Sequence, residues 1–281
     1  MAGRRLEVDG RAATVGDVAG PAQAGYGHVT TMQVRAGRVR GLDLHLTRMA
    51  DAQVELFGEP LDVERVRAAV RHAVGGADAS VRVVVAPRHG AATATAVLVA
   101  VEPPPEAPAA PLALTAVPYQ RPLPHLKHVG TFGQLYWARR ARLAGFDDAL
   151  LTGPAGEVLE TSVANVALWD GERLVWPTGP QLVGTTWQLL ERAEPTLVAV
   201  PSVPSSPGSV ATTVAMTVPT GVPMTRRPVA LADLHAYRAA VVVSSRGIGA
   251  VARIDDVTLD PDAAVVGRLR ALYDAVTWDE I

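Results

Sequence analysis

The stretch FDDALLTGPAGEVLETSVANVALW, residues 146–169, sets short apolar runs on either side of a Gly-Pro-Ala-Gly turn. With the following DGERLVWP it reads as a series of short strands joined by glycine turns. About 20 residues upstream lies RPLPHLKHVG, residues 121–130, which holds Lys127. Of the 26 lysines and arginines in the chain, this is the one lysine and the other 25 are arginine. The bias follows from a restricted composition that uses arginine wherever any cation serves. An amine differs in being able to lose its proton when desolvated and then attack a carbonyl, which a guanidinium does at no accessible pH. Lys127 is therefore a candidate Schiff-base lysine, set against the plain alternative of one lysine left by chance on a solvated loop.

At 281 residues the chain is long enough for one large domain or two modest ones. A hydrophobic share of 48%, a charged share of 19% and a net charge of −2 describe a soluble globular chain with no electrostatic reason to seek nucleic acid or an anionic membrane. The absence of cysteine removes disulfides, thiolate metal sites and cysteine nucleophiles together. The start MAGRRLEVDG lacks the apolar core of a signal peptide, so a cytoplasmic location is expected. The uncharged run 195–225 is broken by Pro201, Pro204, Pro207, Pro219 and Pro223 and reads as loop and strand, with TLVAV and ATTVAMTV as candidate strands.

Around Asp9-Gly10 the opening RLEVDGRAATVGD predicts a tight hairpin. HVTTMQVRAGRVRG predicts a strand, an Ala-Gly turn and a short strand, followed by an amphipathic helix with Leu42, Leu46, Met49 and Val54 on its apolar side. DVERVRAAVRHAV predicts a second helix, and SVRVVVAP and TATAVLVAVE two strands. The five prolines of PPPEAPAAP, residues 103–111, forbid regular structure and mark a candidate boundary between domains 1–110 and 111–281. Beyond it come the strand LALTAVPY, the helix FGQLYWARRARLAG, the strands around 148–177, the helix TTWQLLERA, the strand AAVVVSSRG and a terminal helix near AAVVGRLRALYDAV. Strands and helices alternate irregularly in each half, which argues an α+β fold of two lobes.

With LKH before it, GERLVWP and LVGTT after it, and GLDLHLTRM upstream, the 146–169 segment resembles the class IV aminotransferases. This is the fold type IV group of pyridoxal-phosphate enzymes that includes branched-chain and D-amino acid aminotransferases and aminodeoxychorismate lyase. The resemblance spans roughly residues 5–192 and 226–270, and the order and spacing of several motifs carry it. It implies a two-domain α+β fold, a small N-terminal domain and a larger cofactor-binding one, pyridoxal 5'-phosphate between them, small-molecule amino acid and 2-oxo acid substrates, and a homodimer.

Carried over by position, the resemblance makes Lys127 the residue that holds the cofactor as an internal aldimine and shuttles the substrate α-proton. Glu160 becomes the carboxylate that hydrogen-bonds the ring nitrogen, keeping the ring a sink for the α-carbanion. Arg48 matches the phosphate-binding arginine, Gly184-Thr185-Thr186 the turn that presents backbone N–H groups to the phosphate, and Ser244 and Ser245 the segment that closes the phosphate cup. YGHVTT stands where the family has YGDGVFET, which puts His28 and Thr31 at substrate contacts. The departures are Trp187 in place of an arginine, no asparagine in KHVGTF, Phe132 at a tyrosine position, and residues 195–225 as an apparent insertion.

Two features belong to other chemistries. GIGAVA at 247–252 imitates a dinucleotide fingerprint, but Asp255, Asp256 and Pro261 spoil the helix that should follow. His125 and His128 flank the lysine and are expected to shape its loop, and no metal site is expected. The functional expectation is an aminotransferase working through Lys127. The alternatives are a lyase of the aminodeoxychorismate type releasing pyruvate, favoured locally by LKH and Thr30-Thr31, and a homologue that binds the cofactor without turnover.

Overall fold

The structure, a computed structural model, describes residues 4–88, 94–105, 110–193, 198–201, 213–216 and 221–281. Arg5–Val8 (β1) and Arg11–Ala12 (β2) form the hairpin expected at Asp9-Gly10. Both turn residues have positive φ, 50° and 77°, a conformation open to Gly and tolerated by Asp. Val15–Ala24 (α1) follows, then His28–Arg35 (β3), an Ala36-Gly37 turn, Arg38–Val39 (β4), Leu42–Phe57 (α2) and Val63–Val74 (α3). The Asp62 carboxylate caps α3 by accepting from the Arg65 N–H at 2.9 Å. Ala79–Pro87 (β5) and Thr95–Glu102 (β6) complete this part of the chain.

Period-two burial decides what these strands present. On β5, Val81, Val83 and Val85 are buried and join Met32, Val34, Leu46, Met49 and Val70 in one core beneath α2 and α3. Thr31, Gln33, Ser80 and Arg82 emerge on the opposite face. One side of the sheet is covered by helices, and the other is polar and lines a cavity.

Leu112–Pro118 (β7), Phe132–Leu143 (α4), Asp148–Thr152 (β8), Val158–Thr161 (β9), Asn165–Trp169 (β10), Leu174–Pro177 (β11) and Thr185–Arg192 (α5) come next. Val198–Pro201 (β12) and Thr213–Met216 (β13) pair with each other, and Met224–Arg227 (β14) lies parallel to β11. After a short 3-10 helix, Leu231–Ala236, come Ala239–Ser244 (β15), Gly247–Ile254 (β16), Val257–Thr258 (β17), Ala264–Asp274 (α6) and Asp279–Glu280 (β18). The second sheet runs β14-β11-β10-β15-β16-β7-β8-β9, with a further β9–β10 pairing. It is buried on both faces: Leu114, Leu150, Val166 and Leu168 pack on one side, and Trp176, Trp187, Val241 and Leu269 on the side covered by α5 and α6. No helix among the described residues is long and apolar enough to cross a membrane.

Residues 103–105 and 110–111 lie between the last long strand of the first sheet and the first strand of the second. Yet β18 returns to pair with β4, so the first sheet, ordered β18-β4-β3-β5-β6-β1-β2, is not made from residues before 111 alone. Ile281 is buried in its core, and Arg40, beside β4, stacks between Tyr273 and Trp278 at 4.6 and 4.5 Å.

Two expectations are corrected. Val54 is 56% exposed and lies off the apolar side of α2. The apparent insertion ends earlier than residue 225, because Met224 and Thr225 belong to β14 in the second sheet, while 202–212 and 217–220 lie outside the described residues. In keeping with the reading of GIGAVA as an imitation, it begins β16, antiparallel to β15, and does not form the strand-turn-helix unit of a dinucleotide site. Leu150→Ala, which empties a fully buried position in β8, should lower stability by about 2–5 kcal/mol in urea unfolding with m unchanged.

Candidate active site

A cavity of about 510 Å³ separates the polar face of the first sheet from the end of the second. The first sheet contributes Thr31 and Arg82, α2 contributes His45 and Arg48, the loop before α4 contributes Arg121 and Lys127, and the second sheet contributes Glu160 and Ser244. The N-terminus of α5, Gly184 to Thr186, closes one end.

That end is built to attract an anion. The first N–H groups of a helix have no partner within it, and the helix dipole adds partial positive charge. Asn165 on β10 fixes the turn: its Oδ1 accepts from the Gly184 N–H at 3.0 Å, and its Nδ2 donates to the Leu182 carbonyl at 2.5 Å. A Cβ at position 184 would lie 2.4 Å from that Oδ1, so any other residue would push Asn165 out of this bond. Thr186 donates to the Ser244 carbonyl at 2.8 Å, tying the helix to the end of β15, where Ser244 and Ser245 also line the cavity.

Arg48 is held by a short chain of bonds. A guanidinium only donates, so the Thr30 hydroxyl accepts from Arg48 at 2.8 Å, and it lies 2.7 Å from His45 Nδ1. Burial, with Arg48 and Lys127 nearby, lowers the His45 pKa to about 3, which keeps the imidazole neutral. Burial, with Arg121 as a second cause, lowers Arg48 itself to about 10, which leaves it charged at neutral pH.

At the other end the amine and the carboxylate are each pushed toward neutrality. Burial, then Arg48 and Arg121, lower Lys127 to about 7 against the opposing pull of Glu160. Burial raises Glu160 to about 7, opposed by Arg121, the Leu182 N–H and Lys127. A free amine and a carboxylate able to gain or lose a proton thus meet in one water-poor site near physiological pH.

The structure brings together Lys127, Arg48, Glu160, Thr185, Thr186, Ser244, Ser245 and Thr31 on the wall of this cavity. His28 is not among its lining. It shares the helix-facing side of β3 with Thr30 and Met32, bonds Gln53 on α2 at 3.0 Å and packs near Phe57, so the substrate contact expected of it is not formed there. Trp187 is buried against Trp176 at 4.7 Å, and Phe132 is 82% exposed. Sequence reasoning missed Arg82, Arg121, Asn165 and Gln134, all of which line the cavity. The two arginines carry no mark that separates them from the other 23, although Arg121 lies six residues before the lysine.

Among the described residues, six buried polar atoms on lining residues have no partner in the protein: Gln33 Oε1, Arg40 Nε, Arg48 Nε, Arg121 Nε, Gln134 Oε1 and Thr185 Oγ1. Such orphans are costly and call for a polar ligand. Four of them can donate, which suits an anionic group. No cluster of His, Asp or Glu able to hold a metal ion occurs among the described residues.

Residues 27–200 match the family described as Amino-transferase class IV. Among curated protein sequences none matches. A hypothetical aminotransferase from Mycobacterium tuberculosis, in PLP-bound form, superposes with a TM-score of 0.75 at 19% identity over 97% of this chain and 98% of that one. The branched-chain aminotransferase of Thermoproteus uzoniensis with norvaline gives 0.76 at 18% over 96% and 93%. A protein assigned as a 4-amino-4-deoxychorismate lyase, from Legionella pneumophila, gives 0.74 at 17% over 94% and 95%. At these identities the likeness is one of fold.

The lone lysine makes the site's electrostatics measurable. Acylation of the peptide carrying Lys127, followed by mass spectrometry in ligand-free protein, should have a pH midpoint near 7. Arg48→Met should raise that midpoint and Glu160→Gln should lower it, and a wild-type midpoint near 10.5 would show a solvated amine instead.

Proposed function

The chain belongs to the amino-transferase class IV family, and from that premise we propose that it is a pyridoxal-phosphate-dependent aminotransferase, moving an amino group between an amino acid and a 2-oxo acid. The observation that carries this is the sharing of one cavity by the only lysine, a buried glutamate and an anion-binding helix end. Arg48, the N–H groups at Gly184 to Thr186, and Ser244 and Ser245 would hold the phosphate. Glu160 would bond the ring nitrogen and Lys127 would hold the aldehyde carbon. When bound, the cofactor supplies an electron sink for negative charge developing at the substrate α-carbon.

The chain's own residues have distinct tasks. Lys127 takes and returns the α-proton, which requires the free amine present above about pH 7. Glu160 must be ionised to keep the ring nitrogen protonated, which also holds above about pH 7. Both groups favour the alkaline side, so activity is retained above neutrality and lost as pH falls through about 7. Arg82 beside Thr31 suits the carboxylate of the incoming acid, because a guanidinium fork matches a planar anion.

A homodimer is part of the same proposal. Phe132, Leu135 and Tyr136 on α4 are 82%, 57% and 47% exposed, and Leu135 also lines the cavity. A second copy covering this patch would seal the cavity mouth.

With added pyridoxal phosphate, wild-type protein should show a visible absorption band that Lys127→Ala and Lys127→Arg lack. Borohydride should fix a phosphopyridoxyl group on the peptide containing Lys127. Arg48→Met should weaken cofactor binding about 10- to 100-fold, the loss of charge-assisted bonds of about 1.5–3 kcal/mol. Absence of the wild-type band overturns the proposal. Pyruvate release from aminodeoxychorismate without an oxo-acid acceptor would select the lyase, and a band with no turnover of any amine would select a non-catalytic binder.

A further inference from the structure

We propose that Arg121 is the positioning residue of this site, with one guanidinium holding the Lys127 loop and the Glu160 carboxylate in fixed relation. The inference deepens the functional assignment above and rests on it.

Residues 119–131 contain neither strand nor helix, so the lysine's place depends on the bonds its loop makes. Three of these run to the first sheet and its helices. The Val29 N–H donates to the Lys127 carbonyl at 2.8 Å, the Val129 N–H donates to the Gly27 carbonyl at 3.0 Å, and His125 meets the Glu55 carboxylate at 2.9 Å. Others stay inside the loop, such as His128 Nε2 with the Pro122 carbonyl at 2.9 Å. Among the described residues, one side-chain contact carries the loop across to β9: Arg121 Nη1 lies 3.9 Å from Glu160 Oε1. The same side chain, through Nη2, donates to the carbonyl of Leu126, the residue next to Lys127.

Both partners of this contact are buried, Arg121 at 6% exposure and Glu160 at 6%. A buried carboxylate needs a counter-charge to remain ionised. Glu160 faces Arg121, Lys127 and the Leu182 N–H, while Lys127 faces Arg48, Arg121, Arg82 and Glu160. Once Lys127 gives up its proton, Arg121 is the cation left beside the carboxylate. The same guanidinium repels a proton on Lys127, so it favours the free amine and the ionised carboxylate together. A lysine at 121 would keep the charge but, as a compact point charge, would not span both the Leu126 carbonyl and Glu160 as the guanidinium fork does.

The two tasks separate by substitution. Full-length protein labelled with carboxyl-¹³C glutamate is titrated by NMR without cofactor, Glu160 being assigned by the signal lost in Glu160→Gln. Hydrogen exchange at the Val29 and Val129 amides reports the loop. In Arg121→Met the Glu160 midpoint should rise by at least about one pH unit and both amides should exchange at least about tenfold faster. In Arg121→Lys the midpoint should return close to wild type while exchange stays fast. A folded Arg121→Met with an unmoved Glu160 midpoint overturns the proposal. If Arg121→Met does not fold, Arg121→Lys decides: unchanged amide exchange there overturns it. Cofactor uptake is read spectrally on the same samples. A wild type that takes up pyridoxal phosphate while Glu160 ignores Arg121 overturns this inference alone. A wild type that takes up none overturns the functional assignment and leaves the coupling measurement standing.

Discussion

Removing an amine and a carboxylate from water in the same small space is the constraint on which the rest of this structure depends. Either group alone would be driven to its uncharged form by burial. Together, and with arginines on two sides, Lys127 and Glu160 are balanced close to neutrality, where each can change charge at little cost. That balance requires both walls of the cavity, because Arg48 comes from a helix on the first sheet and Glu160 from a strand of the second. A fold that loosened either wall would admit water and return both groups to their ordinary ionisation.

The two sheets are suited to this in different ways. The second, apolar on both faces, is a rigid slab that fixes Glu160, Asn165 and Ser244 at strand positions. The first is buried on one side only, and its polar face is free to present groups such as Arg82 and Thr31. The anion end, by contrast, is mostly backbone: Gly184 allows the approach to Asn165 that sets the direction of the first N–H groups of α5. Side chains tune charge in this site, and main chain sets its shape.

Much of the fold was legible because its signals are local. The Asp9-Gly10 turn, the valine-rich β5 and the strands of 146–169 follow from residue type and period. Lys127 stood out by rarity, and Glu160 by its flank. What stayed hidden depends on tertiary context. Helix α1 buries none of its residues and so offers no apolar stripe to read. Alternation along β3 was visible, but its phase was not: whether His28 or Thr31 faces the cavity depends on which side α2 covers. Arg82 and Arg121 are chemically the same as the arginines on the surface, and only position distinguishes them. The two-residue strand β18 has no pattern at all, and its partner lies some 240 residues earlier.

That strand gives the molecule an unusual mechanical wiring. The chain passes from the first sheet to the second once between β6 and β7, and returns once through α6 to β18. The return is secured by Ile281 in the first core and by Arg40 clasped between Tyr273 and Trp278. The chain therefore ends in the sheet where it began, and the first sheet is completed only when the last residues arrive. Arg40, Tyr273 and Trp278 line the cavity themselves. The arginine that anchors the end of the chain is thus also part of the wall that a bound molecule would meet.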